Sequence, residues 1–139
     1  MFTEKIMDKL KIEATKSSPE ISFDSEDNLL EIKGVSYPAN IEEVYAPVFS
    51  WLENYLEQLE DQEVAVNMEI IYFNSGSSMI FTDFFRKLEN SVNKGKKISV
   101  NWIYEEDDED SLEFGEDFQE DFKSLRFNFV QNDFRKLDL

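Results

Sequence analysis

Hydrophobic and polar residues alternate where Leu10, Ile12 and Ala14 stand against Lys11, Glu13 and Thr15, the period of two that marks a strand with one buried face. Ser17-Ser18-Pro19 turns the chain into Ile21-Ser22-Phe23, and Ser25-Glu26-Asp27-Asn28 turns it again into Leu30-Glu31-Ile32-Lys33, closed by Gly34. Three short strands joined by tight polar turns predict an antiparallel meander. After Asn40 the period changes. Val44, Val48, Trp51, Leu52, Tyr55, Leu56 and Leu59 recur at three and four, one face of a helix, and Asn40 with Glu43 has the spacing of a capping box. Pro47 lacks the amide donor and its ring crowds the carbonyl four residues back, so either a short turn precedes the main helix or one helix kinks there. Val64, Val66, Met68 and Ile70 alternate again, and Ile71-Tyr72-Phe73 extends them without a polar partner, which predicts a central strand buried on both faces.

A polar cluster, Asn74-Ser75-Gly76-Ser77-Ser78, leads to Ile80, Phe81, Phe84, Phe85, Leu88 and Val92, a second helix face ending before Gly95. Ile98, Val100, Trp102 and Tyr104 alternate as a further strand, and the passage from Tyr72 to Tyr104 has the length of a right-handed crossover, which makes these two strands parallel. Phe114, Phe118 and Phe122 at spacing four predict a short helix, and Leu125, Phe127 and Phe129 an edge strand. The expected fold class is α/β (α+β): a mixed sheet of five to six strands packed against two main helices, with a short acidic helix appended. With no repeat or linker to divide it, the chain reads as one domain over residues 1–139, with its core at about 10–130 and flexible ends. Trp51, Tyr55, Phe81, Phe84 and Phe85 are expected in the core, and Tyr37-Pro38 and Tyr45 partly at the surface.

Charge and composition narrow the function. The 139 residues carry 14 Lys and Arg against 31 Asp and Glu, a net −17, which argues against nucleic acid as a partner because binding it begins with neutralising phosphates. Histidine and cysteine are absent, so histidine-based triads, zinc sites that use nitrogen or sulfur, and disulfides are excluded. Met1 to Leu10 holds no apolar run of the kind a signal peptide or a spanning helix needs, and the expected location is cytoplasmic without membrane insertion. Eleven carboxylates and no Lys or Arg lie between Glu105 and Asp121. No register there makes an EF-hand: starting at Asp108 puts Glu113 where glycine belongs. The stretch reads as a solvated flank or as a docking surface for a basic partner, at Asp107, Asp108, Glu109 and Asp110, with an acidic interaction scaffold or a calcium-binding module as the alternative function. No pair of acids is singled out for acid–base chemistry, so no catalytic residue, cofactor or metal ligand is assigned.

The serine cluster leaves a strand and opens a helix, where unpaired backbone N–H groups and the helix dipole favour an anion. An N-cap role, worth roughly 1 kcal/mol, explains one serine but not three. The second reading is a hydroxyl that accepts a phosphate and with it about −1.5 to −2 charge. A P-loop is excluded, since Gly95-Lys96-Lys97 lacks both the preceding glycine and the final hydroxyl.

The order of elements resembles a STAS domain, the fold of anti-anti-sigma factors, which switch by phosphorylation at the start of their second helix. More closely, from about Leu10 to Val130 the chain resembles the SiaC family of bacterial regulators. The matching stretches are Ile12-Glu13-Ala14-Thr15, Ser18-Pro19, Phe23-Asp24, Gly34 with Ser36-Tyr37-Pro38 and Asn40, and Tyr45 with Pro47, Trp51-Leu52 and Tyr55-Leu56. They continue through Tyr72-Phe73-Asn74-Ser75 with Ser77-Ser78, Asn101-Trp102 with Tyr104-Glu105 and Asp107-Asp108, and Glu113 with Gly115-Glu116-Asp117. The resemblance implies a non-enzymatic switch in c-di-GMP and biofilm signalling, phosphorylated by a Ser/Thr kinase, reset by a PP2C-type phosphatase, and acting when unphosphorylated on a diguanylate cyclase or other signalling protein. It places the phosphoacceptor at Ser75, directly after Asn74, with Ser77 as second choice, in a switch loop of Asn74, Ser75, Gly76, Ser77 and Ser78. The family acceptor is Thr where this chain has Ser75, and Gly76 stands where a further Ser is expected.

Overall fold

The meander forms as the alternation predicts. In a computed structural model describing residues 7–132, β1 (Leu10–Ile12), β2 (Glu20–Asp24) and β3 (Leu29–Ser36) pair antiparallel in chain order. Of the flexible ends expected outside about 10–130, residues 1–6 and 133–139 lie outside the described residues, and residues 131–132 belong to β6. α1 (Ile41–Gln58) leads to β4 (Glu63–Phe73), α2 (Ser75–Asn93) to β5 (Lys97–Glu105), and α3 (Glu109–Asp121) to β6 (Arg126–Asn132). β3 to β6 are parallel neighbours, so the sheet is mixed, in the order β1-β2-β3-β4-β5-β6. The fold is α+β.

One core joins the inward residues of every strand after β1 to the three helices, with Phe23, Leu30, Leu52, Met68, Phe85 and Trp102 fully enclosed. Pro47 sits inside α1 without dividing it. It falls in the second turn, where only one intrahelical bond is lost to its missing N–H. The Asn40 side chain makes no bond to the helix backbone, and its Nδ2 instead donates to Glu43 Oε2 at 3.3 Å, so the expected capping box is replaced by a side-chain pair. Tyr45, expected partly at the surface, is buried, while Tyr37 is exposed.

β4 is central, but it is not buried on both faces. Its outward residues belong to a polar ladder aligned by register: Asn67 donates to Glu31 at 3.1 Å, Asn101 to Asn67 at 2.9 Å and Asn128 to Asn101 at 3.1 Å. The apolar run at its end has another cause. Gly34 pairs with Ile70 but Val35 with Tyr72, so β4 carries Ile71 as one extra residue. A bulge of this kind reverses which side chains face inward. Tyr72 is thereby turned out beside Tyr37, ring centroids 5.8 Å apart, and Phe73 is turned in against Phe81 and Phe114. β3 likewise continues past Gly34, whose φ of +130° suits glycine and which therefore does not close the strand.

The acidic stretch is an integral crossover helix. Phe118 and Phe122 enter the core, and Gly115 lets α3 settle on Trp102. Asp108 caps the helix by accepting from the Ser111 amide at 3.0 Å, and Glu109 and Asp110 occupy its first turn, where the dipole favours acids.

Candidate functional site

β3 and β4 end together, with the Asn74 amide donating to the Ser36 carbonyl at 3.1 Å. From there the chain enters α2 without a loop. The cap is Asn74, whose Oδ1 accepts from the Ser77 amide at 3.0 Å, so capping falls to none of the serines. Ser75, Gly76 and Ser77 are the first three helical residues, and a turn of 3.6 residues sends their side chains in different directions.

Ser77 points inward. Its Oγ shares a hydrogen bond of 2.7 Å with Ser36 Oγ, which shares another of 2.6 Å with the Tyr45 hydroxyl, and Ser77 and Ser36 are both 0% exposed. Three hydroxyls from β3, α1 and α2 thus satisfy one another in the core, as buried polar groups must. Burial pushes the Tyr45 phenol up to about 12, its bond with Ser36 pulling partly the other way, and burial likewise pushes Tyr55 up to about 12. Because a raised folded-state pKa favours the neutral phenol, this contribution is complete below pH 10 and is lost as pH rises through 12. Melting temperature should therefore fall between pH 10 and 12, and less steeply in Tyr45→Phe. An equal slope in the variant would remove Tyr45 as a cause.

Ser75 is exposed. It lies on the rim of a cleft of about 390 Å³ between α2 and α3, shared with Ser78, Thr82, Phe114, Asp117 and Asp121 over a floor of Phe73 and Phe118. On both helices the lining residues are three and four apart, Ser75, Ser78 and Thr82 facing Phe114, Asp117 and Asp121. Neither Asp117 nor Asp121 has a hydrogen bond or ion pair to another described residue. Around the cleft the surface is unusually apolar. Of the six large hydrophobic residues exposed among those described, Met79 and Phe114 stand beside Ser75 and Tyr37, Ile71 and Tyr72 at the adjoining strand ends. The sequence pointed to the serines and to the acids but not to this rim, because the outward turn of Tyr72 beside Ile71 depends on the bulge. No group of three or more acids among the described residues is placed to hold a metal ion. No helix there is long and apolar enough to cross a membrane.

Comparison with known proteins adds to this geometry. The model of the SiaC family regulatory phosphoproteins matches residues 12–132. An uncharacterized protein of Pseudomonas aeruginosa (strain UCBPP-PA14) is 30% identical over 115 residues, 83% of this chain and 90% of that one. The structure of SiaC of Pseudomonas aeruginosa aligns with a TM-score of 0.82 at 28% identity, covering 91% of this chain and 100% of the other. A chain from the crystal structure of the diguanylate cyclase SiaD in complex with its activator SiaC, from the same organism, aligns with a TM-score of 0.83 at 29% identity, covering 88% of this chain and 99% of the other.

Proposed function

The chain belongs to the SiaC family of regulatory phosphoproteins, and on that premise we propose that it is a non-enzymatic phospho-switch. Its unmodified form binds and activates a diguanylate cyclase, a Ser/Thr kinase turns it off by phosphorylating Ser75, and a PP2C-type phosphatase resets it. The observation that carries this reading is the exposed Ser75 hydroxyl at the first position of α2, amid Met79, Phe114 and the outward tyrosines. Exposed apolar residues gathered at one end of a sheet suit a protein interface, with the acids Asp107, Asp108, Glu109 and Asp110 on its flank. A phosphate at Ser75 would meet the α2 dipole favourably, so the fold should persist. Beside Asp117 and Asp121 and under an apolar partner, the same phosphate disrupts through repulsion and desolvation.

The direct test incubates the protein with ATP and a Ser/Thr kinase encoded in its own genome and maps the product by mass spectrometry. One phosphate is expected, on Ser75. Ser75→Ala should accept none, whereas Ser77→Ala should still be modified, because the Ser77 hydroxyl is enclosed in the core. Phosphate at another residue, or full modification of Ser75→Ala, would sink the assignment.

A further inference from the structure

We infer that the cleft between α2 and α3 receives an arginine side chain of the partner that docks at the start of α2. This inference rests on the switch reading for the position of the partner, and on the cleft itself for the chemistry. The cleft has the three parts a guanidinium requires. Phe73 and Phe118 form the floor and the exposed Phe114 ring offers a face on which a planar cation stacks, Asp117 and Asp121 supply acceptors on the same wall, and the Ser75 and Ser78 hydroxyls stand opposite. Among the described residues no Lys or Arg lines it, and none pairs with either carboxylate. At about 390 Å³ it holds one long side chain and a few waters.

The placement of those acids is independent of the cleft's shape. Asp121 lies in the last turn of α3 and Asp117 one turn earlier, and the last turn holds no basic residue. The carboxyl-terminal end of a helix disfavours negative charge, and aspartate is a weak helix former. Asp121 therefore stands where the dipole of α3 does not favour it, unlike Asp108, Glu109 and Asp110, whose positions the cap and dipole account for.

The arrangement also explains how one phosphate can reject a cationic partner. One guanidinium against two carboxylates leaves the covered cleft with a single excess negative charge. Adding about −2 on Ser75 leaves roughly three, desolvated together, which a single arginine cannot balance.

The experiment titrates the isotope-labelled, unphosphorylated protein with N-acetyl-arginine amide by NMR, beside the neutral isostere N-acetyl-citrulline amide. Amide shifts confined to Ser75, Ser78, Phe114 and Asp117 are expected with arginine, and at least fivefold weaker binding of citrulline. Asp117→Asn/Asp121→Asn should weaken arginine at least fivefold while leaving the melting temperature unchanged or about 1–3 °C higher. Glu60→Gln/Asp61→Asn, the same change of charge on an exposed turn away from the cleft, should leave it unchanged. Equal binding of citrulline, or equal losses in the two double variants, overturns the inference by reducing it to diffuse attraction to an acidic surface. Because the titration involves no kinase, phosphate or cyclase, its failure leaves the Ser75 switch standing, and failure of the switch leaves the cleft's preference measurable.

Discussion

Gly115→Ala is expected to lower stability by about 2 kcal/mol, seen as a fall of roughly 6–10 °C in melting temperature. In most helix interiors this substitution raises stability by nearly 1 kcal/mol, since alanine has the better propensity. Here packing opposes it. A Cβ at Gly115 would lie 2.6 Å from Trp102 Cδ1, 2.7 Å from Trp102 Nε1 and 2.8 Å from Phe129 Cε1, all too close for carbon. Trp102 cannot move aside: it is fully buried, its ring lies 5.7 Å from that of Phe118, and its Nε1 donates to the Ser111 carbonyl at 2.8 Å. The helix must lift instead, taking Phe114 and Asp117 away from Ser75, so partner binding should weaken together with stability. Gly76→Ala is the control. Its Cβ would meet only Ile41 Cδ1 at 3.5 Å and Asn74 Oδ1 at 3.7 Å, ordinary contacts, and the variant should be neutral or slightly more stable. Thermal melting of the two variants decides the matter. A Gly115→Ala protein as stable as the parent would mean that α3 does not rest on Trp102 as closely as described.

Close contact between α3 and Trp102 also marks the limit of what periodicity reveals. The meander and the two long helices were legible because local periods of two and of three to four encode them, and the parallel β4 and β5 because the crossover between them has the length that sets their direction. The same alternation cannot show a bulge, since an extra residue at Ile71 makes Ile70-Ile71-Tyr72-Phe73 look like a strand buried on both sides. Only the pairing partner in β3 reveals that Tyr72 turns out and Phe73 turns in. The acidic stretch was legible as a short helix from Phe114, Phe118 and Phe122, but not as the crossover between the parallel β5 and β6. Its eleven carboxylates dominate the composition, but Phe118, Phe122 and Gly115 decide its place, so it is a structural helix whose acids share one exposed side. In the serine cluster, helical phase was the missing information. Once Asn74 is the cap, Ser77 must fall on the core side and Ser75 on the solvent side, a distinction that residue types alone do not carry.

In the proposed switch, Ser75→Asp should weaken binding of a diguanylate cyclase at least thirtyfold, about 2 kcal/mol, with the circular dichroism spectrum and melting temperature preserved. Two opposite effects of one charge are combined here. Within the free protein the new carboxylate sits at the first position of α2, whose first turn carries no acid, and gains about 0.3–1 kcal/mol from the dipole. Under a partner seated on the start of α2 the same carboxylate would be covered beside Asp117 and Asp121, and like charges brought together in an interface cost several kcal/mol. The interface term is the larger, so affinity falls while stability holds or rises. Ser75→Ala introduces no charge and should bind within about threefold of the parent. Salt separates this mechanism from a long-range one. Repulsion between exposed charges is screened at 0.5 M salt, whereas charges buried by the partner are screened much less, so the defect should persist there. Calorimetric titration of a cyclase with the parent, Ser75→Ala and Ser75→Asp at both ionic strengths makes the comparison. Binding of Ser75→Asp within threefold of the parent at low salt would place the interface elsewhere. Full recovery at high salt would place Ser75 at its solvated rim, where a phosphate acts by steering a partner and not by being buried beneath it.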